Sequence, residues 1–308
     1  MRKLTLRQLR TVLAANRLGK INLAARELGL TPPAVTLQLQ QVEIAAGTAL
    51  FDRTSDGLRA TDAGRAVVAV AQAIEFQLEQ LADDLAAIRG VGRGTLRLGA
   101  VSTAKYFVPQ LMAAFLVEHP GIDLRLSIGN RADTIAALEQ QTIDIALMGR
   151  PPHQPPVNTF LIGEHPMVVI APPGHALVGV RHIARSVIAG HPLLVRESGS
   201  GTRRSLELFL GETPGQTPLR STEFASNETI KQAVMAGLGL ALISAHTIAL
   251  EAELGRIAIL DVVGTPVRRQ WFAVTRADRT LSPTMAAFNG FIRLRAREFL
   301  PVLKPPPS

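Results

Sequence analysis

The chain contains no cysteine. It therefore cannot form disulfide bonds, iron–sulfur clusters or thiolate zinc sites, and it cannot use a thiol redox switch. Its seven histidines are scattered without the spacing of metal ligands, so no metal site and no bound cofactor are expected. There is no run of about eighteen apolar residues, which predicts that no segment spans a membrane. Residues 1–5 carry no secretory apolar segment, so a cytoplasmic location is expected.

Enzyme motifs are also missing. The glycines around Ser200 lack the spacing of a nucleophile elbow, and no histidine and carboxylate are placed to complete a triad. The glycine-rich segment 90–94 precedes a strand pattern rather than a helix, unlike a dinucleotide-binding fingerprint. Because 47% of the 308 residues are hydrophobic, two or three domains with sizeable cores are expected instead.

Residues 24–43 are predicted to form two short helices joined by a tight turn at Gly29. Thr31 is a good N-cap for the second helix, and Pro32 takes the first helical position, where a missing N–H costs nothing. Apolar residues recur at helical spacing in both helices, so each has one buried stripe. This pattern is typical of a helix-turn-helix whose second helix contacts base edges. An ordinary helical hairpin with solvent-facing polar residues is the alternative.

An amphipathic helix precedes this segment, and a β-hairpin signal at Asp56-Gly57 follows it. Residues 1–60 therefore predict a winged helix-turn-helix domain. They carry nine basic and four acidic side chains, which suits a surface that faces phosphates. The partner is expected to be double-stranded DNA. The candidate DNA-binding residues are Thr31, Pro32, Pro33, Thr36, Gln38, Gln40, Gln41, Arg53 and Arg59.

A long helix is predicted over residues 61–89, with apolar residues at alternating spacings of four and three. These are Val67, Ala71, Ile74, Leu78, Leu81, Leu85 and Ile88. Such a heptad pattern predicts a left-handed coiled coil and therefore a homodimer or homotetramer that binds a pseudo-palindromic site. A long helix packed against its own domain is the alternative.

Residues 90–308 alternate strand and helix patterns after the glycine-rich joint, which predicts parallel sheets with covering helices. We predict an α/β effector-binding domain of two lobes joined by two crossovers, similar to the periplasmic-binding-protein fold. Lobe I comprises about 95–163 and 267–308, and lobe II about 164–266. A transport-type binding protein would also have two lobes, but it would leave the helix-turn-helix unused.

Ligands of open parallel sheets bind beyond the carboxyl ends of the strands, where helix N-termini point. Four predicted junctions of this kind are rich in hydroxyl, amide and cationic side chains, although each one alone is also a generic helix cap. Together they predict a small anionic metabolite, with a phosphorylated one favoured over a monocarboxylate. The candidate residues are Ser102, Thr103, Lys105, Asn130, Arg131, Glu197, Ser200, Gly201, Thr202, Arg203, Asn227 and Glu228.

Several motifs resemble LysR-type transcriptional regulators: LRQL at 6–9, AAREL at 24–28, TPPAVT at 31–36, LFDR at 50–53 and LRATDAG at 58–64. Length and domain order agree as well, so the resemblance covers the whole chain. It implies a DNA-binding regulator that works with RNA polymerase. Leu37 stands where the family usually has a basic residue, and Lys20-Ile21-Asn22 replaces a usual Gly-Ser-Phe type of turn. Both departures concern the preferred DNA sequence.

Within that family, the C-terminal motifs are similar to the CbbR subgroup, whose members control Calvin-cycle carbon-fixation operons. They are VSTAKYFVP at 101–109, GNR at 129–131, MGRPP at 148–152, SNETIKQAVMAG at 226–237 and ALISAH at 241–246. The resemblance implies an effector of the ribulose bisphosphate, phosphoenolpyruvate or NADPH class, and it adds Gly149 to the effector-binding residues. The alternative is a LysR-type regulator of another metabolic operon that senses an aromatic or other organic acid.

Overall fold

The structure is a computed structural model that describes residues 4–55, 57–88, 94–211 and 220–302. The chain divides into two compact units: an N-terminal one that ends at Ala82 and also includes Gln140–Thr142, and a C-terminal one that contains the remaining residues from Asp83 onward. Each unit has its own hydrophobic core. In the described parts of the chain, no helix is long and apolar enough to cross a bilayer.

The N-terminal unit is a winged helix-turn-helix, as predicted. It contains α1 (Leu6–Leu18), α2 (Ile21–Leu28), α3 (Pro32–Ala46), the antiparallel strands β1 (Phe51–Thr54) and β2 (Gly57–Ala60), and the part of α4 (Asp62–Ile88) up to Ala82. The Thr31 hydroxyl accepts a hydrogen bond from the Ala34 amide at 3.4 Å and so caps α3, whose first residue is Pro32. Buried apolar residues from all three short helices form the core: Val12, Ala14, Ala15, Ala24, Ala25, Val35, Leu39 and Val42.

The wing is the two-stranded ribbon of β1 and β2. Thr54 pairs with Gly57, so Gly57 belongs to β2 and not to the turn that the Asp56-Gly57 pattern predicts. Asp56 lies outside the described residues. The Leu58 amide donates a 2.7 Å hydrogen bond to the Gly19 carbonyl, which holds the wing against the turn between α1 and α2.

The N-terminal half of α4 packs on its own domain. Val68 and Ala71 are buried, and Glu75 accepts a 2.7 Å hydrogen bond from Arg10 on α1. Further along the predicted heptad seam, Leu81 is 54% exposed and Leu85 is 46% exposed, whereas the Ile88 side chain lies outside the description. The first half of α4 therefore packs against its own domain, which was the alternative to a coiled coil. Pairing of two copies of the chain along the second half stays a prediction.

The C-terminal unit is a mixed α/β structure. Its strands are β3 (Gly94–Val101), β4 (Ile122–Gly129), β5 (Ile145–Met148), β6 (Val157–Ala171), β7 (Leu193–Arg196), β8 (Ser221–Phe224), β9 (Ala241–Ser244), β10 (Ala258–Leu260) and β11 (Val267–Arg276). Its helices are α5 (Val108–Glu118), α6 (Arg131–Glu139), α7 (Arg185–Ala189), α8 (Gly201–Leu210), α9 (Asn227–Met235), α10 (Ala249–Glu253) and α11 (Pro283–Arg295). Three 3-10 turns are Ser102–Tyr106, Ala245–Thr247 and Ala296–Phe299.

One seven-stranded sheet runs in the order β10-β6-β11-β5-β3-β4, with β9 also paired to β6, and β7 and β8 form a separate parallel pair. The prediction of parallel sheets is wrong for β6 and β11, which pair antiparallel to each other. β6 carries the chain from lobe I to lobe II, and β11 carries it back. Because the two strands run in opposite directions, they pair antiparallel. The pattern also predicted only residues 167–171 of β6, because Glu164, His165 and Pro166 interrupt the apolar run.

The C-terminal unit has two lobes, because its buried apolar residues form separate cores. Lobe I packs α5 and α11 against β3 and β5, with Phe115 in edge-on contact with Phe288 at 4.8 Å between ring centroids. Lobe II has a core on each face of β6, because alternate residues of that strand point to opposite sides. The helix predicted from 105 to 119 is instead a 3-10 turn followed by α5, which has Pro109 in its first turn.

We predict that Gly57→Ala weakens the wing. The backbone of Gly57 has φ of 133°, and a Cβ atom there would overlap the Gly19 carbonyl oxygen that anchors β2. The variant should lose about 2 kcal/mol of stability in the N-terminal unit, a typical result of overpacking. Native-state hydrogen exchange of the α1–α3 amides measures this unit alone.

Gly29→Ala is the matched control, because Gly29 also has a positive φ, of 63°, but nothing lies within 4 Å of its Cβ position. It should lose about 1 kcal/mol, the strain of a left-handed residue alone. Equal losses in the two variants would show that the contact with Gly19 does not matter.

Candidate functional site

The candidate DNA-contacting face of the N-terminal unit is the exposed side of α3. Thr31, Pro32, Pro33, Gln40 and Gln41 are exposed on it, as a base-contacting helix requires. Gln41 accepts a 2.8 Å hydrogen bond from the Gln8 side chain, whose own helix is α1. Leu37, the residue that stands where the resembled family usually has a basic one, is 55% exposed on α3.

Two other candidates on α3 are partly occupied by contacts within the domain. The Thr36 hydroxyl donates to the Pro32 carbonyl at 3.1 Å. Gln38 is half-buried, and its Oε1 accepts a 2.6 Å hydrogen bond from the hydroxyl of Thr11, a fully buried residue of α1. Gln38 therefore joins α3 to α1, and any contact with DNA stays a prediction. The sequence could not reveal this, because the two residues are 27 positions apart.

The two arginines of the wing are both exposed but lie on opposite faces of the ribbon. Arg53 pairs with Leu58 and Arg59 pairs with Asp52, and successive residues of a strand alternate between faces. Arg53 borders a shallow groove between the wing and the turn after α1, together with Lys20 and Asn22. The groove has a volume of about 340 Å³, and Lys20 and Arg53 both line it. Lys20 is therefore a second cation on this side of the wing.

The C-terminal unit contains a cavity of about 440 Å³ at the carboxyl ends of β3, β4 and β5. Nine of the thirteen residues predicted to bind the effector line it, namely Ser102, Thr103, Asn130, Arg131, Gly149, Ser200, Gly201, Thr202 and Arg203. The rule that ligands bind beyond the carboxyl ends of strands thus selected residues that meet at one cavity, and ligand binding there stays a prediction. The role of each residue stays a prediction.

The N-terminus of α8 forms one wall of the cavity. Ser200 caps this ten-residue helix by accepting from the Thr202 amide at 3.2 Å. Gly199, with φ of 84°, lets the chain approach the start of α6, because a Cβ there would lie 3.1 Å from Ala132 Cβ. Free N–H groups and the helix dipole favour an anion at such an end.

Five guanidinium groups of the described residues line the cavity, and only Arg131 and Arg203 among them were predicted from the sequence. They are Arg131, Arg150, Arg203, Arg204 and Arg269, whereas Glu207 is the single carboxylate in the lining. Arg203 and Arg204 each form a 3.3 Å ion pair with Glu207. The other three arginines form no ion pair with a described residue. Arg131 donates to two main-chain carbonyls, and Arg269 donates to the Ser205 hydroxyl.

Two of the three arginines that lack a carboxylate partner among the described residues, Arg131 and Arg269, have lowered pKa values. Burial lowers the pKa of Arg131, and the neighbouring Arg150 lowers it further. Burial also lowers the pKa of Arg269, with added effects of Arg150 and Arg131. Because a nearby anion would reverse these shifts, the cavity is electrostatically suited to a negatively charged ligand.

The crossover strands contribute an aromatic side of the cavity. His165 on β6 lines it and stacks on the fully buried Trp271 of β11, with ring centroids 3.9 Å apart. Trp271 in turn donates a 3.1 Å hydrogen bond to His246. Burial lowers the pKa of His246 to about 4, so this ring is neutral at pH 7.

The other four predicted effector residues do not line the cavity. Glu197 and Asn227 are bound by Arg196, which is 2% exposed. Its guanidinium donates to both Glu197 oxygens at 2.7 and 2.8 Å, to Asn227 Oδ1 at 2.7 Å and to Ser102 Oγ at 3.1 Å.

Lys105 and Glu228 belong to a second network. Glu228 pairs with Lys105 at 3.4 Å, with the buried Lys231 at 3.1 Å and with the Tyr106 hydroxyl. Lys231 also pairs with Glu251 at 2.6 Å. In sequence, both residues resemble the ligand-binding residues found at helix N-termini, but they pair with each other across 123 positions, and Glu228 also pairs with Tyr106 and Lys231.

Two family models match the chain. "Bacterial regulatory helix-turn-helix protein, lysR family" matches residues 6–65, and "LysR substrate binding domain" matches residues 89–297. These matches fall on the unit with the exposed α3 and on the unit with the arginine-lined cavity.

The chain is 56% identical over 306 residues to the HTH-type transcriptional regulator CbbR of Rhizobium meliloti (strain 1021), which covers 99% of this chain and 98% of that relative. It is 43% identical to the RuBisCO operon transcriptional regulator of Allochromatium vinosum, over 94% of this chain and 95% of the relative. The regulatory domain of Synechocystis PCC6803 CcmR in complex with 2-PG is similar in structure, with a TM-score of 0.63 and 30% identity. That match covers 67% of this chain and 98% of the solved one.

We predict that Arg53→Gln weakens DNA binding equally on specific and scrambled DNA. An arginine that contacts a phosphate releases about one counterion, so the slope of log K against log salt should fall by about 0.9. Fluorescence anisotropy at several salt concentrations measures the slope. Arg181→Gln removes the same charge from an exposed position of the other unit and should leave it unchanged. An unchanged slope for Arg53→Gln would show that this side chain does not contact phosphate.

We predict that Arg196→Met destabilises the C-terminal unit by about 3 kcal/mol, because it leaves Glu197 and Asn227 without their buried partner. The chain has a single tryptophan, Trp271, whose fluorescence reports urea unfolding of this unit. Arg256→Met, at an exposed position, should change stability by less than about 0.5 kcal/mol. Equal stability of the two variants would contradict a structural role for the Arg196 network.

Proposed function

The chain belongs to the LysR family of bacterial transcriptional regulators, and on that premise we propose that it controls a RuBisCO operon in response to a phosphorylated metabolite. The metabolite binds in the arginine-lined cavity of the C-terminal unit. The N-terminal unit binds double-stranded DNA through α3 and the wing.

Similarity to named relatives supports the choice of operon. The chain is 43% identical, over nearly its full length, to a protein named as a RuBisCO operon regulator, and 56% identical to one named CbbR. The aligned regions cover 99% and 94% of this chain, so both units contribute to the similarity. These relatives are named as regulators and not as enzymes.

The observation that carries the proposed ligand is the set of three arginines without a carboxylate partner. Arg131, Arg150 and Arg269 meet at one cavity, next to the N-terminus of α8. A phosphate group carries up to two negative charges and three acceptor oxygens, so it satisfies several guanidinium groups at once. A monocarboxylate would leave part of this positive charge uncompensated. We therefore expect ribulose bisphosphate, phosphoenolpyruvate, NADPH or a chemically similar phosphate.

Ligand binding is expected to act on DNA through the assembly of subunits. Two copies joined along α4, where Leu81 and Leu85 are exposed, would present two copies of α3 to a pseudo-palindromic operator. The metabolite shifts this assembly only if it binds one arrangement more tightly than another. The regulator then changes how RNA polymerase uses the promoter.

We predict that Arg150→Gln weakens binding of the phosphorylated effector by at least about tenfold, because it removes a charge-assisted hydrogen bond. DNA affinity without effector should be unchanged. Isothermal titration calorimetry with ribulose bisphosphate, phosphoenolpyruvate and NADPH measures the first quantity. Anisotropy on a carbon-fixation promoter fragment, against a scrambled fragment, measures the second.

Arg256→Gln is the control, because Arg256 is exposed and does not line the cavity. Promoter preference that one of these phosphates alters in the wild type, and not in Arg150→Gln, would support the proposal. Promoter preference that responds to an aromatic or other organic acid instead would retain the regulator and overturn the phosphorylated ligand.

A further inference from the structure

His165 occupies a fixed place among the cavity residues. In the register of β6 and β11 it lies directly opposite Arg269, and cross-strand partners project from the same face of a sheet. Both side chains line the cavity, as does Met167 two residues further along β6. The ring is therefore adjacent to one of the three arginines that attract an anion.

The imidazole is held by its packing. It stacks on Trp271 at an interplanar angle of 19°, and Trp271 is fixed by its hydrogen bond to His246. A Cβ atom at Gly149 would lie 2.8 Å from His165 Nδ1, so the glycine leaves the space that the ring occupies. A side chain this constrained has a defined orientation toward whatever enters the cavity.

Neither ring nitrogen of His165 has a hydrogen-bond partner in the described part of the chain, although the residue is only 6% exposed. Buried polar groups in folded proteins are nearly always hydrogen-bonded. Because the ring borders the cavity, a molecule inside the cavity is the natural partner.

The charge of the ring restricts which molecule can be that partner. Burial, together with His246 and Arg269, holds the pKa of His165 well below its usual value, so the ring is neutral at pH 7. A neutral imidazole has one N–H donor and one acceptor nitrogen. An ionised phosphate oxygen can use the donor alone, whereas a hydroxyl group can also donate to the acceptor nitrogen.

We propose that His165 determines specificity by hydrogen-bonding a hydroxyl group of the effector while the neighbouring arginines bind its phosphate. The effector class is accordingly a hydroxylated sugar phosphate rather than a phosphate without hydroxyl groups, such as phosphoenolpyruvate. This inference rests on the proposed function, because it concerns the same cavity and a phosphorylated ligand.

Two ligands that differ in their oxygen functions test the inference on the full chain. Ribulose bisphosphate and 1,5-pentanediol bisphosphate carry the same two phosphates on five carbons, but the second has no hydroxyl or carbonyl group. Calorimetry on the wild type should show at least about tenfold tighter binding of ribulose bisphosphate. In His165→Leu the preference should fall to about threefold or less, with the affinity for pentanediol bisphosphate retained.

Further variants separate hydrogen bonding from packing. His165→Phe keeps an aromatic ring on Trp271 without polar atoms and should lose the preference as His165→Leu does, which keeps the test valid if the leucine variant misfolds. His165→Asn retains a donor and an acceptor and should preserve part of the preference. His191→Leu, outside the cavity, should preserve all of it.

Equal binding of the two bisphosphates by the wild type would overturn the inference and leave the proposed function standing. A full preference in both His165→Leu and His165→Phe would also overturn it, because the discrimination would then come from other residues. If the wild type binds neither bisphosphate nor any other phosphorylated ligand, the proposed function fails and the inference fails with it.

Discussion

The antiparallel pairing of β6 with β11 is the interaction on which the C-terminal unit depends. It runs over ten residue pairs, from Val267 opposite Met167 to Arg276 opposite Val157. One end of this ribbon packs into the core of lobe I and the other into the cores of lobe II. The same ribbon carries His165 and Arg269 between the lobes. A cavity at this position therefore receives side chains from both crossover strands as a consequence of topology.

The cations of this unit have two kinds of surroundings. Arg196 and Lys231 are nearly inaccessible, and each has a carboxylate partner within 3 Å. Arg131 and Arg269 are partly buried and Arg150 is exposed, and none of the three has a carboxylate partner among the described residues. Burial lowers the pKa of Arg131 and Arg269, because removing a charge from water without a counterion is unfavourable. This contrast supports the proposal that an anionic ligand supplies the counterion of the cavity arginines.

Local signals in the sequence predicted most elements well. The Thr31 cap with Pro32 defines the start of α3, and Gly29 the turn before it, because caps and turns depend on residues a few positions apart. The direction of a strand and the contact partners of a side chain do not depend on neighbouring residues alone. The antiparallel course of β6, the bond from Thr11 to Gln38 and the contribution of Arg269 to the cavity all require residues that are distant in sequence. For the same reason Glu228 has the sequence features of a ligand residue but is bound by Tyr106 and Lys105, which lie more than 100 positions earlier in the chain.

A neutral ring beside three arginines has a physical advantage over a fourth cation. Arginines attract any anion, including inorganic phosphate, so they give affinity without selecting among phosphorylated metabolites. A fourth charge would increase that affinity for all of them and would add to the repulsion between the guanidinium groups. A neutral imidazole instead has one donor and one acceptor. When a ligand lacks a matching group, these two atoms lose their hydrogen bonds and the ligand binds less tightly. Selectivity for one metabolite then follows from the mismatch with the others, and a regulator that responds to a single metabolic state needs that property.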